Sequence, residues 1–319
     1  MSAASSADAV ATGKEISTLS TPAQRVGRAK TVFDAIRLPY PLQADAVSQM
    51  DEVRWAAKGR APSVSCSGAV LIAPTGVGKS EACKALVRRA ADEVAEGEDR
   101  IPVLHVSLAV DGSTGAVPTA ILRALRDPRP DLGKEFVRWL KVIDRLRARG
   151  VELILFDEFN RASRRPTMSA PIALSIREHL LDPGVCPVVI VGSESAGKVL
   201  ENAPALLEVL DEQIDLDPLD WEDKSDQAMF KDFLGELDAR LVAEKLLRDL
   251  SSLRGDDTAY RLWEASAGRV RRLMKIVRFA LGTALHAGAP SLRHEHLAAG
   301  VQAYAIRAKY IDSNPFGDA

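Results

Sequence analysis

The sequence has few cysteines, no excess of charge of either sign and no long apolar run. Its three cysteines, Cys66, Cys83 and Cys186, are scattered without a CxxC spacing, which argues against a zinc site or a disulfide framework and favours a reducing compartment. The 42 Lys and Arg residues and the 44 Asp and Glu residues give a net charge of −2, so the whole molecule has no attraction for nucleic acid. No run approaches the roughly 20 apolar residues of a membrane helix, and the small, polar residues at the start do not form a secretory signal. We therefore expect a cytoplasmic protein that does not contact a membrane.

The length of 319 residues suggests about two domains at roughly 150 residues each. Residues 1–25 are rich in Ser, Ala and Thr, which predicts a disordered tail. Helical spacing of apolar residues over 26–62, broken by two prolines near Tyr40, predicts an N-terminal helical lead-in. We expect an α/β core over 63–220 and a helical domain with a C-terminal tail over 221–319.

Short apolar runs alternate with helical stretches in the predicted core. The four strongest runs are 68–73, 102–107, 151–156 and 187–192, and a weaker fifth is 213–216. Buried strands separated by helices are typical of a parallel sheet covered on both faces.

The strongest motif follows the first of these strands and opens a helix. Glycines at 76 and 78 allow backbone N–H groups to close around phosphates, while Lys79 would reach the β and γ phosphates and Ser80 would bind Mg²⁺. Ala73 stands where the pattern usually has its first glycine. The motif predicts ATP as cofactor, bound by Pro74, Thr75, Gly76, Val77, Gly78, Lys79, Ser80 and Glu81.

A second motif, Asp157-Glu158, ends another apolar strand 78 residues after Lys79. We expect Asp157 to hold the Mg²⁺ shell and Glu158 to polarise the attacking water. A glutamate at this point favours ATP hydrolysis over transfer to a small acceptor.

Two weaker signals complete the candidate site. Ser193 follows the fourth strand and either senses the γ-phosphate or caps the next helix. Glu194 is the second candidate for the sensor of the γ-phosphate. Arg271 lies three residues after Gly268 at the start of a helix, where it either leans over the phosphates as a second sensor or belongs to a solvated basic face.

These motifs resemble the AAA+ ATPases over about residues 64–300. The expected fold is therefore a P-loop NTPase (AAA+) parallel sheet core with helices on both faces, followed by a small all-helical lid. Finer features resemble the TniB/TnsC group of transposition regulators: Tyr40 ahead of the P-loop, the runs 102–106 and 121–125, Val191–Glu194 and the ending Asn314–Phe316. This resemblance implies an ATP-dependent oligomer, a ring or a helical filament, that assembles on double-stranded DNA and recruits a transposase, with a TniQ-like target-selection adaptor.

Two departures from the TniB pattern concern catalysis. The stretch 209–214, before or within the last strand, has no arginine to act as a finger on a neighbouring subunit, and Glu158 is followed by Phe-Asn-Arg rather than His-Asn. A cation that acts on the neighbouring subunit could instead come from Arg161, Arg164, Arg165 or Lys198. Weak hydrolysis, with ATP used mainly for assembly, is consistent with this absence.

Charge is unevenly distributed along the chain. Residues 123–149 contain nine basic and four acidic side chains, whereas 201–226 contain ten acidic side chains and Lys224. Each stretch is either a binding surface or a solvated helix face. Loops at 109–117 and 161–167 are the pore-loop candidates, with Arg161, Arg164 and Arg165 as DNA contacts; we expect Trp221 to be a packing residue.

Two other functions share these motifs. A replication initiator or helicase loader has the same core, but the chain shows no recognisable winged-helix domain after the lid helices. A nucleotide-gated scaffold with little turnover would need the P-loop but not Glu158.

Overall fold

The computed structural model describes residues 21–38, 40–60, 64–108, 114–164 and 166–317, and of 162–164 and 166–169 it describes the backbone alone. Its described residues form two compact units. One is the α/β unit, which runs from Pro41 to Asp217; the other is the helical unit, which joins the residues up to Tyr40 to those from Pro218 onward. The lead-in predicted over 26–62 is thus divided between the two units.

The α/β unit is built on a parallel sheet of five strands in the order β2-β3-β4-β1-β5. The strands are β1 Gly68–Ile72, β2 Val103–Ser107, β3 Leu153–Asp157, β4 Val188–Gly192 and β5 Leu210–Gln213. The predicted fold class is confirmed. The fifth strand predicted at 213–216 is wrong, because only Leu210 of the true edge strand is buried and the apolar Ile214 and Leu216 enter the core after the strand ends.

The helices lie on both sides of this sheet or in the helical unit. In chain order they are α1 Pro22–Ala35, α2 Pro41–Ala57, α3 Lys79–Ala91, α4 Ala116–Ala124, α5 Glu135–Ala148, α6 Pro166–Ile176, α7 Glu194–Glu201, α8 Pro204–Leu207, α9 Lys224–Ala243, α10 Asp256–Ser266, α11 Val270–Ala287 and α12 His294–Val301. A short 3₁₀ helix spans Phe159–Arg164, and single π-helical turns follow α6 and α12.

Alternation along β3 shows how the sheet is covered. Leu153 and Leu155 belong to an apolar cluster with α2 and α3, whereas Ile154 and Phe156 belong to a cluster with α4, α5, α6 and α7. Successive side chains of a strand point to opposite faces, so a strand buried on both faces is apolar throughout. The face carrying α3 is also the face onto which the odd-numbered residues of β2 and β3 point.

Helix α1 begins earlier than the sequence suggested. Thr21 and Gln24 form a capping box, in which each side chain accepts from the other residue's backbone N–H, and this stabilises the first turn. The predicted tail of 1–25 is therefore wrong from Pro22 onward, while residues 1–20 lie outside the described residues. Within the helical unit, Asp34 of α1 forms a two-point ion pair with Arg278 of α11 at 2.7 and 2.8 Å.

Aromatic packing organises the start of the helical unit. Trp221 makes edge contacts with Phe230 and Tyr260 and lies 5.8 Å from Trp263, whose Nε1 donates to the Leu219 carbonyl. The prediction that Trp221 packs is confirmed. Among the described residues, no helix is both long enough and apolar enough to cross a bilayer.

Candidate functional site

Three of the predicted site segments meet at one edge of the sheet. β4 lies between β1 and β3, and in a parallel sheet the carboxyl ends of all strands share an edge. The loop 73–78 follows β1, Asp157 ends β3, and Ser193 follows β4 directly. The topology therefore places the P-loop, the acidic pair and the serine side by side.

The loop after β1 has the backbone geometry of an anion-binding turn. Gly76 and Gly78 have φ of 97° and 110°, a region that side-chain-bearing residues rarely adopt. Val77 is buried between them and anchors the loop, and Gly78 is the N-cap of α3. The first N–H groups of α3 lack intrahelical acceptors, so the helix start and the loop present donors to an anion.

Lys79 and Gln43 make hydrogen bonds to the two ends of this loop. Nζ of Lys79 donates to the carbonyls of Ala73 and Pro74 at 2.6 and 2.8 Å, which places the ammonium at the start of the loop. Gln43 of α2 donates through Nε2 to the Gly78 carbonyl at 3.3 Å. Gln43 could not be found from the sequence, because it lies 35 residues before Gly78 and no motif includes it.

The carboxylate of Glu81 makes ion pairs along α3. It lies 3.3 Å from Arg88 and 3.8 Å from Lys84. The predicted contact of Glu81 with the cofactor stays a prediction.

Asp157 is buried and held in its charged form by donors. Oδ2 lies 3.1 Å from His105 Nε2, Oδ1 accepts from the Glu158 N–H at 2.8 Å, and the Ser80 hydroxyl is a further donor. Burial alone would raise the pKa of Asp157, but the bonds from His105, Ser80 and the Glu158 N–H together hold that pKa below its usual value. Ser80 and Asp157, the two residues predicted to serve Mg²⁺, are thus in contact, and their metal role stays a prediction. His105 was missed.

Glu158 has an unusual backbone and two polar neighbours. Its φ is 58°, a left-handed conformation that is uncommon for a non-glycine residue and is concentrated at functional sites. Its Oε2 accepts from Asn160 Nδ2 at 3.4 Å and lies 3.9 Å from Arg161 Nε. The half-exposed carboxylate is thus oriented by the turn that follows it.

The absence of a side chain at Gly192 allows the first turn of α7 to pack against the end of β4. A Cβ on Gly192 would lie 2.4 Å from the Ala196 Cβ and 3.5 Å from the Asn160 N. Next to it, Ser193 occupies the N-cap of α7 without capping it, since its Oγ pairs with Ser195 Oγ at 3.0 Å. Glu194 is exposed.

The remaining candidate residues are dispersed. Arg271 is an exposed residue of the first turn of α11 in the helical unit, and its sensor role stays a prediction. The Arg161 guanidinium contacts the Leu108 carbonyl at 3.3 Å and Ser107 Oγ at 3.4 Å, beyond the end of β2. The side chain of Arg164, all of Arg165 and residues 109–113 of the first pore loop lie outside the described residues.

Several basic side chains of the stretch 123–149 are paired with other groups of the same chain. Lys141 and Arg145 pair with the carboxylate of Asp127 at 2.6 and 3.6 Å. Arg138 donates to the Gly115 carbonyl and Thr119 Oγ1, and Arg149 pairs with Asp99. Four of the nine basic side chains therefore have intramolecular partners, which favours the solvated helix face for this stretch.

A parallel sheet of this order, with a P-loop after β1 and Asp157-Glu158 at the end of β3, is the arrangement of the AAA+ P-loop fold. Residues 36–213, more than half of the chain, match the family described as "Bacterial TniB protein". The chain belongs to the TniB family. No curated protein matches the chain.

Solved structures of low sequence identity share this fold. The ORC2 protein of Aeropyrum pernix, in ADPNP–ADP complexes, has a TM-score of 0.60 at 16% identity over 85% of this chain and 71% of its own. CDC6p of Pyrobaculum aerophilum has a TM-score of 0.62 at 17% identity over 86% and 71%. The Aeropyrum pernix ORC1 protein in complex with DNA has a TM-score of 0.56 at 20% identity over 86% and 66%.

Proposed function

We propose that the chain binds and hydrolyses ATP with Mg²⁺, assembles in its ATP-bound form on double-stranded DNA, and regulates DNA transposition by recruiting a transposase to the target. The observation that carries the nucleotide step is the meeting of the P-loop and the Asp157-Glu158 pair at one sheet edge. The membership in the TniB family supports the transposition role.

The residues present fit a Mg²⁺–nucleotide complex. Mg²⁺ prefers hard oxygen ligands, and the Ser80 hydroxyl contacts an Asp157 carboxylate whose pKa is lowered, so both oxygens are available at neutral pH. The nucleotide supplies the γ-phosphoryl group, and the ion would neutralise charge that develops on it. The N–H groups of the loop, together with Lys79, would bind the phosphates.

Glu158 is the group that would accept a hydrogen bond from the attacking water. Its backbone is left-handed where β3 ends, and Asn160 donates a hydrogen bond to Oε2 of its carboxylate. A fixed acceptor orients a water for in-line attack without a change in the protein. Ser193, at the end of the strand between the two motifs, is the proposed sensor of the γ-phosphate.

We expect slow turnover by the isolated chain. Lys198 is the one basic residue between Glu194 and Gln213, so the segment leading to β5 offers no arginine to a neighbouring subunit. Binding of ATP is sufficient to stabilise a subunit interface, and hydrolysis would then control disassembly. Arg161, Arg164 and Arg165 are the proposed DNA contacts, and a TniQ-like adaptor is the proposed further partner.

Binding to a labelled random-sequence duplex tests the proposal. Fluorescence anisotropy at low salt, with ATP, with ADP and without nucleotide, measures affinity, and electron microscopy of the same samples shows rings or filaments. We expect ATP-dependent assembly that is lost in Lys79→Ala and retained in Lys84→Ala, a matched control on the exposed face of α3. ATP binding without any affinity for the duplex would contradict the DNA role.

A further inference from the structure

Three potential metal ligands converge beside the candidate nucleotide site. Cys83 of α3, His105 of β2 and Asp157 of β3 each bring one ligand atom, and these atoms lie within 4.8 Å of one another. Cys83 is fully buried, Asp157 is 5% exposed and the His105 side chain is 25% exposed. The convergence follows from the fold, because α3 covers the sheet face onto which the odd-numbered residues of β2 and β3 point.

We propose that Cys83, His105 and Asp157 form a binding site for a thiophilic divalent cation, of which Zn²⁺ is the representative. Sulfur, imidazole nitrogen and carboxylate oxygen are the three ligand types that Zn²⁺ takes, and three protein ligands leave a fourth position for water. A thiol and an imidazole select against Mg²⁺ and Ca²⁺, which take oxygen ligands.

The geometry requires only a small rearrangement, in which the ligand atoms that are up to 4.8 Å apart approach one another and the His105–Asp157 pair opens slightly. Ligand atoms at about 2.0–2.3 Å from a tetrahedral ion lie about 3.3–3.8 Å apart, and His105 Nε2 is 3.1 Å from Asp157 Oδ2. On binding, the Cys83 thiol gives its proton to solvent, so one proton is released per ion and the thiolate and carboxylate balance the two positive charges. An ion would enter the site past the imidazole of His105, which is partly exposed.

Occupancy of this site would inhibit the nucleotide site, a consequence that depends on the proposed function. Asp157 is shared, because its Oδ2 faces His105 while its carboxylate also contacts Ser80. An ion coordinated by the carboxylate removes the negative charge that Mg²⁺ would use. Zn²⁺ therefore opposes Mg²⁺-dependent hydrolysis without competing for the P-loop.

The spacing of the ligands explains why no metal signature is visible in the sequence. Cys83 and His105 are 22 residues apart, His105 and Asp157 are 52 apart, and no pair has the short spacing of a zinc motif. Only the parallel register, in which Ser107 pairs with Asp157, and the position of α3 bring them together.

Titration of the tag-free, nucleotide-free full chain with Co²⁺ tests the site directly. We expect one ion per chain with the near-ultraviolet absorption of a thiolate–cobalt bond, absent in Cys83→Ala and strongly weakened in His105→Asn. Cys186→Ala is the matched control, since Cys186 is equally buried but lies in no described group of metal ligands. Absence of the thiolate band in the wild-type protein, or its loss in Cys186→Ala instead, overturns the proposal.

Inhibition of ATP hydrolysis by buffered Zn²⁺ at excess Mg²⁺ tests the coupling. We expect Cys83→Ala to keep the basal rate and to require at least about 10-fold more Zn²⁺ for half-inhibition, as for the loss of one metal ligand or its support. Equal inhibition of both proteins overturns the coupling. A chain without ATPase activity would refute the proposed function, while the Co²⁺ spectrum would still decide the metal site.

Discussion

Nε2 of His105 lies 3.1 Å from Oδ2 of Asp157, and the two side chains come from neighbouring parallel strands. We predict that His105 positions the carboxylate that would serve Mg²⁺. His105→Ala should raise the Mg²⁺ concentration needed for half-maximal hydrolysis by about 10-fold, as loss of an outer-shell partner does, with ATP binding retained.

His105→Gln should recover part of this loss, because its amide can donate to Asp157. His179→Ala is the control, since His179 is also partly buried but pairs with Ser175 and stacks on Trp139. A Mg²⁺ dependence of His105→Ala identical to that of the wild type would show that the contact is only structural.

Both the backbone conformation at position 78 and the close approach of Gln43 require a glycine there. Its φ is 110°, and a Cβ there would lie 1.7 Å from Gln43 Nε2. Gly78→Ala should weaken ATP binding by at least about 10-fold, or about 1.4 kcal/mol, measured with a fluorescent ATP analogue. Because the strain remains when the clash is removed, adding Gln43→Ala should not restore affinity.

Gly97→Ala is the matched control for that experiment. Gly97 has φ of 89° with nothing within 4 Å of its Cβ position. The substitution therefore introduces backbone strain without a clash, at a position outside the phosphate-binding loop. It should lower stability slightly and leave ATP affinity unchanged. Full recovery of affinity in the Gly78→Ala, Gln43→Ala double variant would assign the effect to the clash alone.

Arg54 is a fully buried cation on α2. Its guanidinium lies 2.7 Å from Asp51, 2.8 Å from Glu93 and 3.4 Å from Glu152. Without Arg54, Asp51 would keep only the exposed Arg89 among the described residues, and Glu152 only the partly exposed Lys58 and Arg100. Breaking a buried ion pair typically costs about 3–5 kcal/mol, and these remaining partners place the expected cost at the lower end. Arg54→Ala should therefore lower the free energy of unfolding by that order in urea titrations.

The exposed Arg60 provides the comparison for Arg54. Arg60→Ala removes exposed hydrogen bonds to the carbonyls of Ala56 and Ser65, so we expect a change within about 0.5 kcal/mol. Similar unfolding curves for the two variants would mean that the buried network does not stabilise α2.

Asp127 provides a pH-dependent contribution to stability. The hydrogen bond from Lys141 is the main cause that holds the pKa of Asp127 below its usual value, against a smaller opposing effect of desolvation. A lowered folded pKa stabilises the protein above the unfolded pKa, and this contribution is lost as the pH falls through the folded pKa. Asp127→Asn should thus have a lower Tm than the wild type at pH 7, and the gap should close below about pH 3.8. A gap that keeps its size as the pH falls well below that value, or that closes already above about pH 5, would contradict the assignment.

The fold and the core of the site could be predicted because their signals are local. Four strands are continuous apolar runs, and the P-loop and Asp157-Glu158 are contiguous motifs at strand ends. The edge strand β5 was misplaced because Asp211 and Glu212 are exposed, so its pattern is polar. His105, Gln43 and Cys83 were missed because their relation to the site depends on strand register and helix packing, which no short motif encodes.

The division of the lead-in likewise depends on distant contacts. Asp34 and Arg278 are 244 residues apart, and Tyr40 packs edge-on against Phe233 at 5.5 Å. Helix periodicity predicts both α1 and α2 but does not indicate which unit each helix joins.

The most direct test of the central claim compares ATP binding and ATP hydrolysis in the wild type and in Glu158→Gln under the same conditions. The glutamine keeps the size of the side chain and loses the charged acceptor for the water. We predict unchanged ATP affinity, hydrolysis reduced by about 10²–10⁴-fold, and a longer lifetime of the assembly on DNA. Hydrolysis and assembly lifetime both equal to those of the wild type would contradict the assignment of Glu158 and leave a scaffold that binds nucleotide without using its turnover.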